Sequence, residues 1–375
     1  MRDRWDVSDA AGSSVRHHVE VIATPRVLRE ARAHFNCSSL AGAEIENQGA
    51  LGQKQTHWEK RLFENEAMTG VFTHNPVFSR ITLALMEDTG WYRANYDMAE
   101  SLEWGRNAGC LFVQNSCKAW MDAKAKKNET ISPYCARLAP NSHTRTACTA
   151  GHDGVGSCNL VKYASLLPVE YRYFDALSGV DEPGHYGGAT ALADYCPFVH
   201  ELDWKRNGKT VRGSNCKHVT NSLAFERNYA LEEYGASSAC FLHGRRWSRE
   251  SCTRTVTSVD WGSGCYAYAC TRGSVVMSIL GRSYPCLFSG QRLEVKLLDD
   301  RSWLHAGSLI CPPCRELCGD ACPSDETIRL YNSTLHVRSS QQVLVCSALK
   351  RNPSSCLIAL LLIVISFRVW TLLRS

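Results

Sequence analysis

Apolar and polar positions partly alternate from Val15 to Ala23, and the β-branched content of Val-Arg-His-His-Val-Glu-Val-Ile-Ala predicts a strand. Thr24-Pro25 then spells a helix start, a capping hydroxyl ahead of a proline in the first turn. Val27, Leu28, Ala31 and Phe35 recur at helical spacing, so the pattern predicts a helix running to about Phe35. A second helix is predicted between Ser79, which can cap it, and Gly90, which can end it. Past residue 115 the apolar runs are short and broken by Gly, Pro, Asn and Ser. Tyr186-Gly187-Gly188 and the run from Trp261 to Tyr266 are examples, and they predict strands and loops. Near the end Cys356 to Phe367 is almost wholly apolar before Arg368 interrupts it. That run is shorter than the roughly 20 residues that span a bilayer. Helices first and short strands afterwards make an α+β chain.

Composition changes this picture mainly through cysteine. The 375 residues carry 19 of them, a density typical of an oxidising compartment and a disulfide framework. Cys37 and Cys110 stand alone in the first 115 residues, 16 fall between Cys117 and Cys346, and Cys356 is left over. The even counts predict that Cys37 pairs with Cys110 and that the 16 close among themselves. They also predict three parts: 1–115, a disulfide-stapled unit over 116–346 that folds separately, and an apolar tail over 347–375. Sequons at Asn36, Asn128 and Asn332 agree with a secretory setting. The N-terminus lacks an apolar signal segment, so the expectation is an N-terminally truncated product. Localisation is expected at a membrane, the cell surface or the secretory pathway, with the cytoplasm as the alternative. The tail fits either a glycolipid-anchor signal or an inserted helix, so membrane association is expected through it. The net charge of +5 comes with no basic block, which removes nucleic acid as an expected partner.

Several residues invite a chemical reading. Cys311-Pro312-Pro313-Cys314 with Cys318 and Cys322 could hold zinc through four thiolates or act as a redox pair. The oxidising setting favours disulfides. His17 and His18 are neighbours on a strand and point to opposite faces, so they do not share one ion. Glu87 and Asp88 are expected to be solvated at a helix end. The run from Thr56 to Gly70 places His57 in a polar turn and ends in Met68-Thr69-Gly70, a tight turn. A catalytic zinc takes three protein ligands and leaves one position for water. In one large class, two of the ligands come from His-Glu-x-x-His on a helix. None of the 13 histidines opens that motif: His200-Glu201-Leu202-Asp203 is followed by Trp204.

The wording of Thr56 to Gly70 nevertheless closely resembles the leishmanolysin and invadolysin family of zinc metallopeptidases. Ala43 to Gly49, Asn75 to Tyr92, Ala193 to Phe198 and Asp260 to Tyr266 resemble it too. The resemblance implies the C-terminal half of a metzincin catalytic domain, followed by a disulfide-rich domain of strands and loops. It makes His57 the third zinc ligand and Met68 the floor of the site, the Met-turn. Zinc is then the cofactor, and proteins or peptides are the substrates. The helix with the first two ligands and the general-base Glu is expected upstream of Met1. No catalytic residue is therefore expected in this chain, which alone should hydrolyse no peptide. The alternative is a non-catalytic secreted or cell-surface module for adhesion or binding.

Overall fold

The computed structural model describes residues 2–9, 14–49, 54–73, 75–138, 145–258, 261–323 and 342–346. The mixed α and β chain with a large disulfide-rich β part is the α+β architecture expected. Strand β1 (Arg2–Asp6) pairs antiparallel with β2 (Ser14–His17). Strand β3 (Glu20–Ile22) follows after a break at residues 18–19, so the single predicted strand is two. His17 is buried and stacks on Trp5 at 4.0 Å, while His18 is exposed, as opposite faces require. Helix α1 (Pro25–Phe35) buries Val27, Ala31 and Phe35 on one stripe. Its N-terminus is capped by Asp88, whose Oδ2 accepts from the backbone N–H of Arg26 (2.9 Å) and of Val27 (3.1 Å). The acidic pair is thus divided: Asp88 is a tertiary cap, and the expectation that both acids are solvated is corrected.

Strand β4 (Ala43–Ile45) pairs with β3, and α2 (Lys60–Phe63) is a single turn. In α3 (Arg80–Asp88) the Ser79 hydroxyl accepts from Thr82 N, the predicted cap, and Gly90 follows at φ +78°. Helices α4 (Gly109–Gln114) and α5 (Cys117–Lys126) complete this half. One core gathers Val27 and Phe35 of α1, Ile81 of α3, Phe112 of α4 and Trp120 of α5, and extends to Tyr173 and Phe198. Each fully buried Phe of this kind contributes about 2–3 kcal/mol. This core draws on both sides of residue 115.

Short strands follow. β5 (Ala147–Cys148) and β6 (Val155–Cys158) pair, β7 (Leu160–Lys162) pairs with β8 (Tyr186–Gly188), and β9 (Val199–Glu201) joins β6. β10 (Trp204–Arg206) and β11 (Lys209–Arg212) form a hairpin. The last part is one antiparallel sheet of seven strands: β12 (Ser238–Ser251), β13 (Arg254–Thr257), β14 (Ser263–Thr271), β15 (Ser274–Ile279), β16 (Arg282–Pro285), β17 (Arg292–Leu298) and β18 (Leu304–Ile310). Their order is β16-β15-β14-β12-β18-β17, with β13 also on β12. Val275, Met277 and Ile279 alternate inward from β15, as do Leu293, Val295 and Leu297 from β17. Trp247 lies flat against Gly307, where any Cβ would come within 2.1 Å of the indole. Gln342 is tied to β17: its N donates to Lys296 O, and Leu298 N donates to its Oε1.

All 18 described cysteines are paired. Cys37 joins Cys110, and the 16 from Cys117 to Cys346 close among themselves in eight bonds, as the counts predicted. Cys356 and the apolar tail lie outside the described residues. Among the described residues no helix is long and apolar enough to cross a membrane.

Candidate metal-ligand site

His57 reaches its place through backbone pairing. Glu46 N donates to His57 O at 2.9 Å, and Gln55 N donates to Glu46 O at 2.9 Å. On the other side Trp58 N donates to Met68 O at 3.0 Å. Trp58 is therefore bridged to Ile45 antiparallel and to Thr69 parallel, so the His57–Trp58 segment is a short strand laid between the end of β4 and the turn at Met68. His57 and Met68, 11 residues apart, are held side by side by this pairing. His57 is half-buried, with Nδ1 3.0 Å from Thr56 Oγ1. Met68 is half-buried against the first core. Gly70 lies beside the ring: a Cβ there would crowd Leu192 at 3.1 Å and make an ordinary contact with His57 Cγ at 3.7 Å.

The Met68 turn hangs on Glu66, which is 1% exposed. Its carboxylate accepts from Met68 N (2.6 Å), from Ser79 N (3.2 Å), from the Ser79 hydroxyl (2.9 Å) and from the Thr82 hydroxyl. Burial pushes its acid upward despite those donors. Trp58 Nε1 also donates to Thr82 Oγ1 at 2.8 Å, so the start of α3 anchors both the histidine strand and the methionine turn.

Beneath lies a buried ionic hub. Arg61, 1% exposed, donates from Nε to Asp194 Oδ2 (2.9 Å) and from a terminal nitrogen to Glu44 (3.4 Å). Its other terminal nitrogen reaches the carbonyls of Phe112 and Asn115. Asp194 also accepts from Gln48 Nε2 at 2.8 Å, and Gln48 N donates to Glu46 Oε1. The segment that pins His57 is thereby tied to a residue far along the chain. Burial, with Asp194 adding to it, pushes Glu46 up to about 7, and burial raises Glu59 as well.

The donor set fits a metal at one position. In a ligating histidine the second ring nitrogen is usually hydrogen-bonded, and Thr56 Oγ1 fills that place at Nδ1. One imidazole does not make a site. Among the described residues the only close group of three potential ligand residues is Cys314, Cys318 and Cys322. Those sulfurs are consumed in Cys314–Cys322 and Cys270–Cys318, and Cys311 is bonded to Cys286, so the disulfide reading of this cluster holds. His17 is packed on Trp5, with Nε2 3.9 Å from Asp194 Oδ2. Of the sequons, Asn36 and Asn128 are exposed, each at the end of a helix, and Asn332 lies outside the described residues.

Glu66, Arg61, Gln48 and Asp194 were not singled out from sequence. A signal existed in Trp58-Glu59-Lys60-Arg61-Leu62-Phe63-Glu64-Asn65-Glu66, where charge is dense between residues that must be buried. Charges locked into such a stretch need internal partners.

Residues 6–324 match the family described as Leishmanolysin. The chain is similar to a leishmanolysin-like peptidase of Drosophila melanogaster, 46% identical over 322 residues, covering 85% of this chain and 46% of the relative. A leishmanolysin-like peptidase of Caenorhabditis elegans is 42% identical over 331 residues, covering 86% and 49%. A leishmanolysin of Leishmania tropica is 26% identical over 312 residues, covering 82% and 43%. The chain spans about half the length of the curated relatives it matches.

Proposed function

We propose, from the premise that the chain belongs to the leishmanolysin family of metallopeptidases, that it carries one wall of a zinc metalloendopeptidase active site. His57 is the metal ligand and Met68 the floor beneath it. The observation that carries this reading is the hydrogen bond from Trp58 N to Met68 O, which lays the two residues on neighbouring backbone segments. Zinc at such a site polarises a scissile carbonyl and lowers the pKa of its water. The chain's own part is positioning. Thr56 holds the ring of His57 through Nδ1, and Glu66 fixes the methionine turn. The Arg61–Asp194 hub keeps the segment behind His57 from shifting.

Three ligands and a general base make the catalyst, and these 375 residues contain one identified ligand and no His-Glu-x-x-His. The chain by itself is therefore proposed to be inactive, with proteins or peptides as substrates only of the completed site. Exposed Phe72, Phe78, Trp91, Tyr92 and Met98 between the Met68 turn and residue 98 support a face that receives another polypeptide segment. In the same reading residues 1–115 are the metal-facing part and 116–346 the cysteine-rich brace. The tail over 347–375 associates with a membrane in the secretory pathway, and Asn36, Asn128 and Asn332 accept glycans.

The test is zinc binding and cleavage by the oxidised chain, alone and mixed with a family segment bearing His-Glu-x-x-His. The expected result is weak zinc binding and no cleavage alone, then chelator-sensitive cleavage in the mixture that His57→Ala abolishes. Cleavage that survives His57→Ala overturns the assignment. A chain that binds no zinc and is never complemented is the adhesion or binding module instead.

A further inference from the structure

Between the first core and the seven-stranded sheet lies a cavity of about 430 Å³, apart from His57. Its walls include Glu64, Glu100, Glu103, Asp153, Glu201 and Glu316. Among the described lining residues Lys217 is the only Lys or Arg, although the whole chain has a net charge of +5. Three of the acids have local cations: Glu103 pairs with Arg106 (2.9 Å), Glu316 with His152 (2.9 Å) and Glu64 with Lys60 (3.5 Å). The other three have none among the described residues. Asp153 accepts only from the neutral groups of Thr149 and Asn75, and Glu100 from the Phe78 N–H. Glu201 Oε2 is buried and has no hydrogen-bond partner among the described residues.

A second, independent observation points the same way. Ser238, 2% exposed, lines this cavity, and its buried hydroxyl has no hydrogen-bond partner either. Buried polar groups left in that state are costly unless something meets them. A compact metal ion is a poor occupant, because among the described residues no three carboxylates here come close enough together to share one. A guanidinium is a better one: it spreads its charge over five N–H donors in a planar fork and suits separated acceptors. Its aliphatic stem would lie against Val199, Trp104 and Tyr268, which also line the cavity.

We propose that this cavity binds the guanidinium of an arginine side chain presented by a polypeptide, with Glu201, Asp153 and Ser238 as its acceptors. Glu201 fits the role chemically. Burial, and after it Asp153 and Glu64, push its acid up to about 8, the condition of a carboxylate that lacks a cation and that an arriving cation would restore. The site is independent of any metal at His57, so its test needs no catalysis.

The probe is N-acetyl-arginine amide, titrated calorimetrically into the oxidised full chain, with N-acetyl-citrulline amide as the neutral isostere and calcium chloride as the inorganic cation. Saturable one-to-one binding of the arginine amide is expected, with the citrulline amide at least about tenfold weaker, as loss of a charge-assisted hydrogen bond implies. Glu201→Gln keeps the shape of the side chain and should weaken arginine by a similar factor, while Ser238→Ala should weaken it several-fold. Both variants are first checked for the wild-type circular dichroism and disulfide count. No saturable arginine binding overturns the proposal, as does equal affinity for citrulline or unchanged affinity in a folded Glu201→Gln protein. Stoichiometric calcium binding that excludes the arginine amide overturns it as well.

Discussion

The pair Arg61–Asp194 offers the sharpest test of how the site is held. Asp194→Asn keeps the shape and one acceptor but removes the charge. Arg61 would then sit 1% exposed with Glu44 at 3.4 Å, two carbonyls and the Trp5 ring at 4.9 Å to balance it. Breaking a buried pair from one side costs about 3–5 kcal/mol. Glu44 still compensates in part, which puts Asp194→Asn near the lower end, about 3 kcal/mol or more than a hundredfold in the folding constant. Arg61→Met strands Asp194 and Glu44 together beside the buried Glu59 and belongs at the upper end, about 5 kcal/mol. Because each single change leaves a charge that the other would remove, the double variant should lose about 2 kcal/mol less than the sum of the two. The assay is urea unfolding with disulfides intact, followed by tryptophan fluorescence, with unchanged m-values required for the comparison. Asp194→Asn within about 1 kcal/mol of the parent, or strict additivity of the two singles, would refute a coupled hub.

Three other outcomes follow from the geometry. Gly307→Ala drives a methyl to 2.1 Å from the Trp247 indole and should cost about 3 kcal/mol by overpacking, read as a lowered midpoint in thermal unfolding. Glu66→Ala leaves four donors around the Met68 turn without an acceptor and should cost about 3 kcal/mol, with faster amide exchange at Met68. Glu66→Gln should be the milder change, because burial already pushes that acid toward its neutral form. For His152, burial is the largest influence and pulls the pKa down, but the hydrogen bond its ring donates to Glu316, that carboxylate's charge, the Cys240 carbonyl and the charge of Asp153 together outweigh it, so the folded value is raised. Its contribution is then fully present below the unfolded value of about 6.5 and is lost as pH rises through the raised one. Glu316 is half exposed, so the effect should stay within about 1 kcal/mol, and Glu316→Gln should flatten that part of a stability–pH curve.

What could be read from the chain was what neighbours in sequence decide. The stripe Val27-Ala31-Phe35 placed α1, Ser79 and Gly90 bracketed α3, and even cysteine counts divided the pairing correctly. Alternation in Val275-Met277-Ile279 is a local signal of the same kind. What escaped depends on distance. Asp88 caps a helix that begins 63 residues earlier, taking a role that Thr24 promised locally. Arg61 and Asp194 meet across a separation of 133 residues, and nothing in either neighbourhood names the other. The even cysteine count suggested a separate unit after residue 115, yet apolar packing ignores that line, since cross-linking and burial answer to different forces. The site divides in the same way. His57 and Met68 stood out by their wording, whereas Glu66 and Gln48 look like ordinary surface residues until their partners are seen.

The short strip 342–346 has a consequence for how copies of this protein behave together. β17 is the last strand of its sheet, and an uncovered last strand is a template on which another chain can add itself. Gln342 occupies hydrogen-bonding groups at Lys296 and Leu298, and the Cys252–Cys346 bond anchors the strip from the other end. Arg292 and Glu294, pointing outward, discourage a neighbour along the rest of the strand. Reduction of that one cross-link would let the strip peel away and turn a monomer's border into a growth point for aggregates. Solubility is thus guarded by a bond that a reducing medium would break.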